Sequence, residues 1–131
     1  MEKTLFQKII DRELPAEVLY EDADVIAILN RFPNIDGETL IITKQPIPYV
    51  FDLESGEYLR LMEVARKMAK VLDRTFNTLR TCVVIEGLDV PHVHVRLYPI
   101  TTPHLKLTHG PEASDDHLKL IGDKIRLNLE S

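Results

Sequence analysis

The stretch VPHVHVRLYP, residues 90–99, sets His92, His94 and Arg96 two positions apart inside an alternating apolar run. On a β-strand such positions share a face, so two imidazoles and a guanidinium project together while Val93, Val95 and Leu97 point to the other side. Residue type leaves three readings of this row. The first is a partly exposed polar sheet face without chemistry. The second is a metal site, but a His-x-His pair supplies two ligands where zinc takes three or four. The other histidines, His104, His109 and His117, lie beyond Pro103 in a different kind of segment. The third is anion chemistry, in which one imidazole attacks phosphorus while its neighbours donate to the phosphoryl oxygens. Arginine suits that task because its charge is fixed and its fork matches phosphate geometry.

The elements that must position this row are readable from periodicity. Leu5, Phe6, Ile9 and Ile10 recur at helical spacing, and Pro15 is expected to close that helix. EVLYED and DVIAILN read as two strands joined by a turn at residues 22–24, and ETLIITK reads as a third. Between them, RFPNIDG is turn chemistry. A long helix is expected from Ser55 to Phe76, with Leu59, Met62, Val64, Ala65, Met68, Val71 and Leu72 on its apolar stripe and Ser55 as N-cap. RTCVVIEG and HVHVRLYPI supply strands four and five, linked by LDVP. Five strands with one long helix indicate an α+β domain with a mostly antiparallel sheet. After Pro103 the pattern changes, and SDDHLKLIGDKIRLNL resumes helical spacing through Leu118, Ile121, Ile125 and Leu129, with Ser114 as N-cap. The expected organisation is one domain over residues 1–100 and an extension over residues 101–131 packed on it.

Composition narrows the partners. The net charge of -5 argues against a nucleic-acid binder, which needs a basic face, yet leaves room for a small anion held by a few local donors. No apolar run approaches membrane-spanning length, and the opening MEKTLFQKIID is too charged for a signal peptide. One cysteine, Cys82, gives no internal disulfide framework. A cytoplasmic protein without membrane association is expected.

The ordered set LFQKIIDRELPAEVLYEDADVIAILNRFPNIDGETLIITK, a long amphipathic helix, then VVIEGLDVPHVHVRLYP resembles the histidine-triad (HIT) family of nucleotide-binding hydrolases and transferases over about residues 4–99. The resemblance implies a five-stranded antiparallel sheet with helices packed on it, paired as a homodimer across the long helix and fourth strand. It implies cleavage of nucleoside 5′-phosphoric anhydrides or phosphoramidates, a purine nucleoside phosphate foremost, through a nucleotidyl-histidine. His94 would be the nucleophile and His92 its support; Arg96 is a candidate phosphate contact on the chemistry of its guanidinium, not by the resemblance. Phe6, Ile9, Ile28 and Leu29 would line the base pocket and Asn30 would contact the ribose, although core packing and a turn explain these residues as well.

This chain also departs from the family pattern. Arg96 stands where the family row ends in a third histidine, and an arginine does not readily give a proton to a leaving group at neutral pH. Glu38 stands where many members have histidine, and its expected partner is Arg96. The LDVP link lacks the polar groups that hold phosphate in the best-known members. Thr4 and Gln7 replace the cysteines of a structural zinc site, so neither metal nor cofactor is expected. Two functions therefore stand side by side: a hydrolase or transferase working through His94, and a nucleotide-binding module with little turnover.

Overall fold

The computed structural model describes residues 2–129. Met1 and Ser131, the outer ends of the two expected segments, lie outside them. The chain runs α1 (Leu5–Ile10), β1 (Val18–Glu21), β2 (Val25–Leu29), β3 (Thr39–Thr43), a 3₁₀ turn (Val50–Asp52), α2 (Ser55–Phe76), β4 (Arg80–Val84), β5 (His94–Ile100) and α3 (Asp115–Arg126). The strands form one antiparallel sheet in the order β1-β2-β3-β5-β4. This is the expected α+β architecture.

Pleating divides the core in two. Val25, Ala27, Leu29, Ile41, Val93, Val95 and Leu97 form one cluster with the buried stripe of α2. Ile26, Ile28, Leu40 and Ile42 form another with Phe6 and Ile9 of α1. The β3–β5 register places Ile42 opposite His94 and Leu40 opposite Arg96, so the polar row continues the α1-side face. A slip of one residue would drive both imidazoles under α2.

Local details depart from the sequence reading in three places. First, α1 stops at Ile10, well before Pro15: Asp11 caps its C-terminus and Arg12 adopts φ 64°. Second, α2 is N-capped by Glu54, not Ser55, through a reciprocal capping box with Glu57. Leu61, not Leu59, continues its buried stripe, and Leu59 is exposed because two residues turn a helix about 200° away from the core. Third, β5 begins at His94. Upstream of it the His92 N–H donates to the Val90 carbonyl, a tight turn that keeps residue 92 out of the ladder.

The hairpin turn works as read, with the Asp22 carboxylate accepting from the N–H groups of Asp24 and Val25. At the next turn, Gly37 has φ 90° and a side chain there would strike the Phe76 ring.

The extension packs on the sheet domain in two parts. Leu118, Ile121 and Ile125 of α3 are buried, and Arg126 donates to the Val18 carbonyl and to Glu17. Residues 104–113 form a strap along the turn after β2. Asn34 donates to the carbonyls of Lys106 and Thr108, and the N–H groups of Gly110 and Ala113 donate to the carbonyls of Phe32 and Arg31. A Cβ on Gly110 would lie 2.1 Å from the Pro33 oxygen, so only glycine permits this approach. No described helix is long and apolar enough to cross a membrane.

Candidate active site

His94 and Arg96 share one face of β5, and the turn before the strand brings His92 against the same Phe6 ring, but the row is closed: the residues are 0%, 1% and 7% exposed. The reading of a partly exposed polar surface is therefore corrected. Phe6 of α1 packs on both imidazoles and the loop 85–91 closes on Arg96.

Hydrogen bonds fix both imidazoles in single tautomers. His92 Nε2 lies 2.6 Å from the Thr43 carbonyl, which can only accept, so Nε2 carries the proton. The other nitrogen, Nδ1, then accepts from the Thr4 hydroxyl at 2.8 Å. Thr4 is also the N-cap of α1, where its oxygen accepts from the Gln7 N–H while the Gln7 side chain accepts from the Thr4 N–H. One hydroxyl thus ties the start of α1 to the histidine row.

His94 is oriented the opposite way. Its Nδ1 donates to the His92 carbonyl at 2.7 Å, leaving Nε2 with the lone pair. Phe6 packs edge-on against the His94 ring at 4.7 Å and against the His92 ring at 5.8 Å. Burial holds both imidazoles below their ordinary pKa, and the Arg96 charge pushes His94 the same way. Each is neutral at pH 7, and His94 Nε2 is available as a base or nucleophile.

Arg96 faces that lone pair, with its Nε–H donating to His94 Nε2 at 3.4 Å. Its Nη2 pairs with Glu86 at 3.0 Å and Asp89 at 3.5 Å. The expected Glu38–Arg96 pair is absent. Both Glu38 oxygens are taken by the Asn30 amide at 2.6 Å and the Asn34 N–H at 2.8 Å, which hold the carboxylate toward the turn. Arg96 instead lies opposite Val84 at the end of β4 and reaches the loop that follows. That loop folds on itself, with Gly87 at φ 63° and Glu86 accepting from the Leu88 N–H at 2.7 Å.

Beside the row is a cavity of about 220 Å³ bordered by Phe6, Ile9, Ile28, Leu29 and Asn30 together with Leu40 and Leu118. All five residues expected at the base and ribose positions border it, and Phe6 belongs to both the cavity and the His94 contact. Leu29 also belongs to the α2-side core, as strand alternation demands. Asn30 has its amide nitrogen on Glu38 and its oxygen on the Phe32 N–H, so a ligand would meet an Asn30–Glu38 pair. A larger groove of about 440 Å³ runs along α2 past Tyr20, Lys67 and Arg74 and includes none of these residues.

Five participants carry no role in the sequence reading: Thr4, the Thr43 carbonyl, Glu86, Asp89 and His109. The last reaches the site from the strap, its Nε2 lying 3.1 Å from the Asp89 oxygen that also pairs with Arg96. Only Glu86 has a local signal, the EG that closes the fourth strand. Among the described residues no group of three or more His, Cys, Asp or Glu side chains is placed to hold a metal ion.

Comparison with known proteins agrees with this architecture. The family model described as HIT domain matches residues 11–100. A HIT-like protein of Methanocaldococcus jannaschii is 30% identical over 99 residues, covering 72% of this chain and 77% of its own. The crystal structure of a HIT-like protein from Bartonella henselae superimposes with a TM-score of 0.85 at 25% identity, covering 96% of both chains. A HIT family hydrolase from Clostridium thermocellum gives a TM-score of 0.67 at 28% identity over 82% of this chain and 99% of its own.

Proposed function

The chain belongs to the HIT family, and from that premise we propose that it is a nucleotide-binding hydrolase or transferase that cleaves nucleoside 5′-phosphoric anhydrides or phosphoramidates through a nucleotidyl group on His94. The observation that carries this reading is the His94 tautomer. Its Nδ1 proton is committed to the His92 carbonyl, so the neutral ring presents Nε2 as the attacking atom. The His92 ring, pinned between Thr4 and Thr43, keeps its carbonyl in place as the acceptor.

The apolar cavity takes the base, with the Phe6 ring among its walls, and a purine is the base expected there. The ribose lies by Asn30 and Glu38, and the α-phosphorus comes to His94 Nε2. Arg96 Nε–H, which faces Nε2 at 3.4 Å, turns to a phosphoryl oxygen as charge builds there. Attack forms the Nε2–P bond and expels the leaving group, and water or another acceptor then releases the nucleotide. The active form is a homodimer: β4 is an edge strand with Val83 exposed, and Leu59 is exposed on α2, the two elements such pairing would use. A cytoplasmic setting fits the free thiol of Cys82.

A second reading rests on a specific observation. Glu86 and Asp89 already neutralise Arg96, and Glu38 adds a third carboxylate nearby. A phosphate must displace at least one of them, which favours a nucleotide-binding module with little turnover. Intact mass spectrometry after mixing with an adenosine phosphoramidate decides between the two. A nucleotidyl adduct that vanishes in His94→Ala establishes the enzyme. Nucleotide binding with neither adduct nor product establishes the module.

A further inference from the structure

Arg96 leaves one step of the proposed reaction unserved. An unactivated amine or alcohol leaves phosphorus only as it gains a proton, and a guanidinium is too weak an acid to give one at neutral pH. His92 and His94 are both neutral and committed, one to Thr4 and Thr43 and the other to the attack. Near the row, the remaining imidazole is His109.

Three observations bring it there. The strap is locked to the turn after β2 by the two Asn34 bonds and by the close passage of Gly110 over Pro33, which places residue 109 beside the loop 85–91. His109 Nε2 lies 3.1 Å from Asp89 Oδ2, and the same oxygen lies 3.5 Å from Arg96 Nη2, so imidazole and guanidinium flank one carboxylate oxygen. His109 is half-exposed, and among the described residues its Nδ1 has no hydrogen-bond partner. A ring held at one nitrogen by a carboxylate and open at the other is the arrangement general acids use.

Resting on the nucleotidyl-transfer reading, we infer that His109 is a further catalytic residue, the general acid for the leaving group, with Asp89 as its positioning residue. As the His94 Nε2–P bond forms, the bond from phosphorus to the leaving nitrogen or oxygen breaks and its electron pair goes to that atom. The same atom takes the Nδ1 proton of the His109 imidazolium. In the second half, neutral His109 accepts a proton from the attacking water, the P–Nε2 bond breaks with its electrons returning to His94, and the nucleotide leaves. The histidine absent from the end of the row is thereby supplied from the extension.

The test compares two substrates in the full-length protein: an alkylamine phosphoramidate of AMP, whose leaving group needs a proton, and the p-nitrophenyl ester of AMP, whose leaving group does not. His109→Gln is expected to lower kcat on the amidate by about 100-fold while changing the ester by less than about threefold. Asp89→Asn moves in the same direction by a smaller factor. Equal losses on both substrates, or no loss on either, overturn the acid role, because a strap that only shapes the pocket does not distinguish leaving groups. If the unsubstituted protein forms no His94 adduct even from the ester, the nucleotidyl-transfer reading itself falls and this inference with it. An adduct together with leaving-group-independent behaviour of His109→Gln sinks the inference alone.

Discussion

On the α2 side of the sheet, Val93, Val95 and Leu97 are covered by one continuous 22-residue helix that presents Leu61, Val64, Ala65, Met68, Val71 and Leu72. On the α1 side, His92, His94 and Arg96 are covered by a six-residue helix and the loop 85–91, which the strap in turn reaches through His109. An apolar face needs only shape and area, which a long amphipathic helix supplies. Each buried polar group needs its own partner, and several short segments supply them one at a time. Thr4 and the Thr43 carbonyl serve His92, and Glu86 and Asp89 serve Arg96. Within a single strand, one set of side chains thus maintains the fold while the interleaved set is free for chemistry.

The sharpest break of that comparison is the pair His94→Ala and Leu97→Ala. The first should lower turnover by on the order of 10³-fold or more with nucleotide affinity largely kept, since it removes the attacking atom. Leu97 is fully buried, and its truncation should cost about 2–5 kcal/mol in urea unfolding while leaving kcat per folded molecule unchanged. A catalytic loss in Leu97→Ala larger than its unfolded fraction would mean that the two faces are not separable.

Arg96→Ala should weaken AMP binding by about 1.5–3 kcal/mol and adenosine binding far less, as calorimetry would read. Equal losses would show that the guanidinium serves its carboxylates and not the ligand. Acidification sharpens the contrast differently. Both buried imidazoles have folded pKa values below 6.5, so below that pH the unfolded chain binds more protons than the folded one. Their contribution to stability is complete above pH 6.5 and is lost as the pH falls, with a limiting slope of about 1.4 kcal/mol per pH unit for each imidazole. Urea midpoints from pH 7.5 to 5.5 would measure it, and His92→Gln should flatten the curve. Smallest is Thr4→Val, expected to cost about 1 kcal/mol through the lost cap, with Thr4→Ser restoring most of it.

The five strands, the turn at Asp22 and the long helix were legible because they rest on periodicity and on turn residues that act locally. The pairing of His94 and Arg96 was legible for the same reason, since period two puts them on one face, while His92 reaches the row from the turn before the strand. Its burial was not, because it depends on segments far along the chain. Glu38 illustrates the limit. Proximity on neighbouring strands suggested a pair with Arg96, but Asn34 offers a backbone N–H only once the turn is folded. His109 lies beyond the stretch that the family model matches, in a segment without periodicity, and long-range contacts such as those of Asn34 and Gly110 bring it back. Leu59 and Ser55 show a milder limit, where a stripe read correctly over most of α2 is misread at its first turn.

The Thr4 hydroxyl, shared between a helix cap and an imidazole, carries a consequence for how the molecule opens. Six residues are too few for a helix to persist alone in water, so α1 holds its shape only while docked. When it detaches, the cap, the hydrogen bond donated to His92 and the Phe6 wall are lost together, and the cavity loses one side. Amide exchange at Gln7 through Ile10 should therefore report on occupancy of a cavity whose ligand touches none of those amides directly. Filling it should slow their exchange in proportion to ligand affinity, making α1 a reporter for the cavity that it borders.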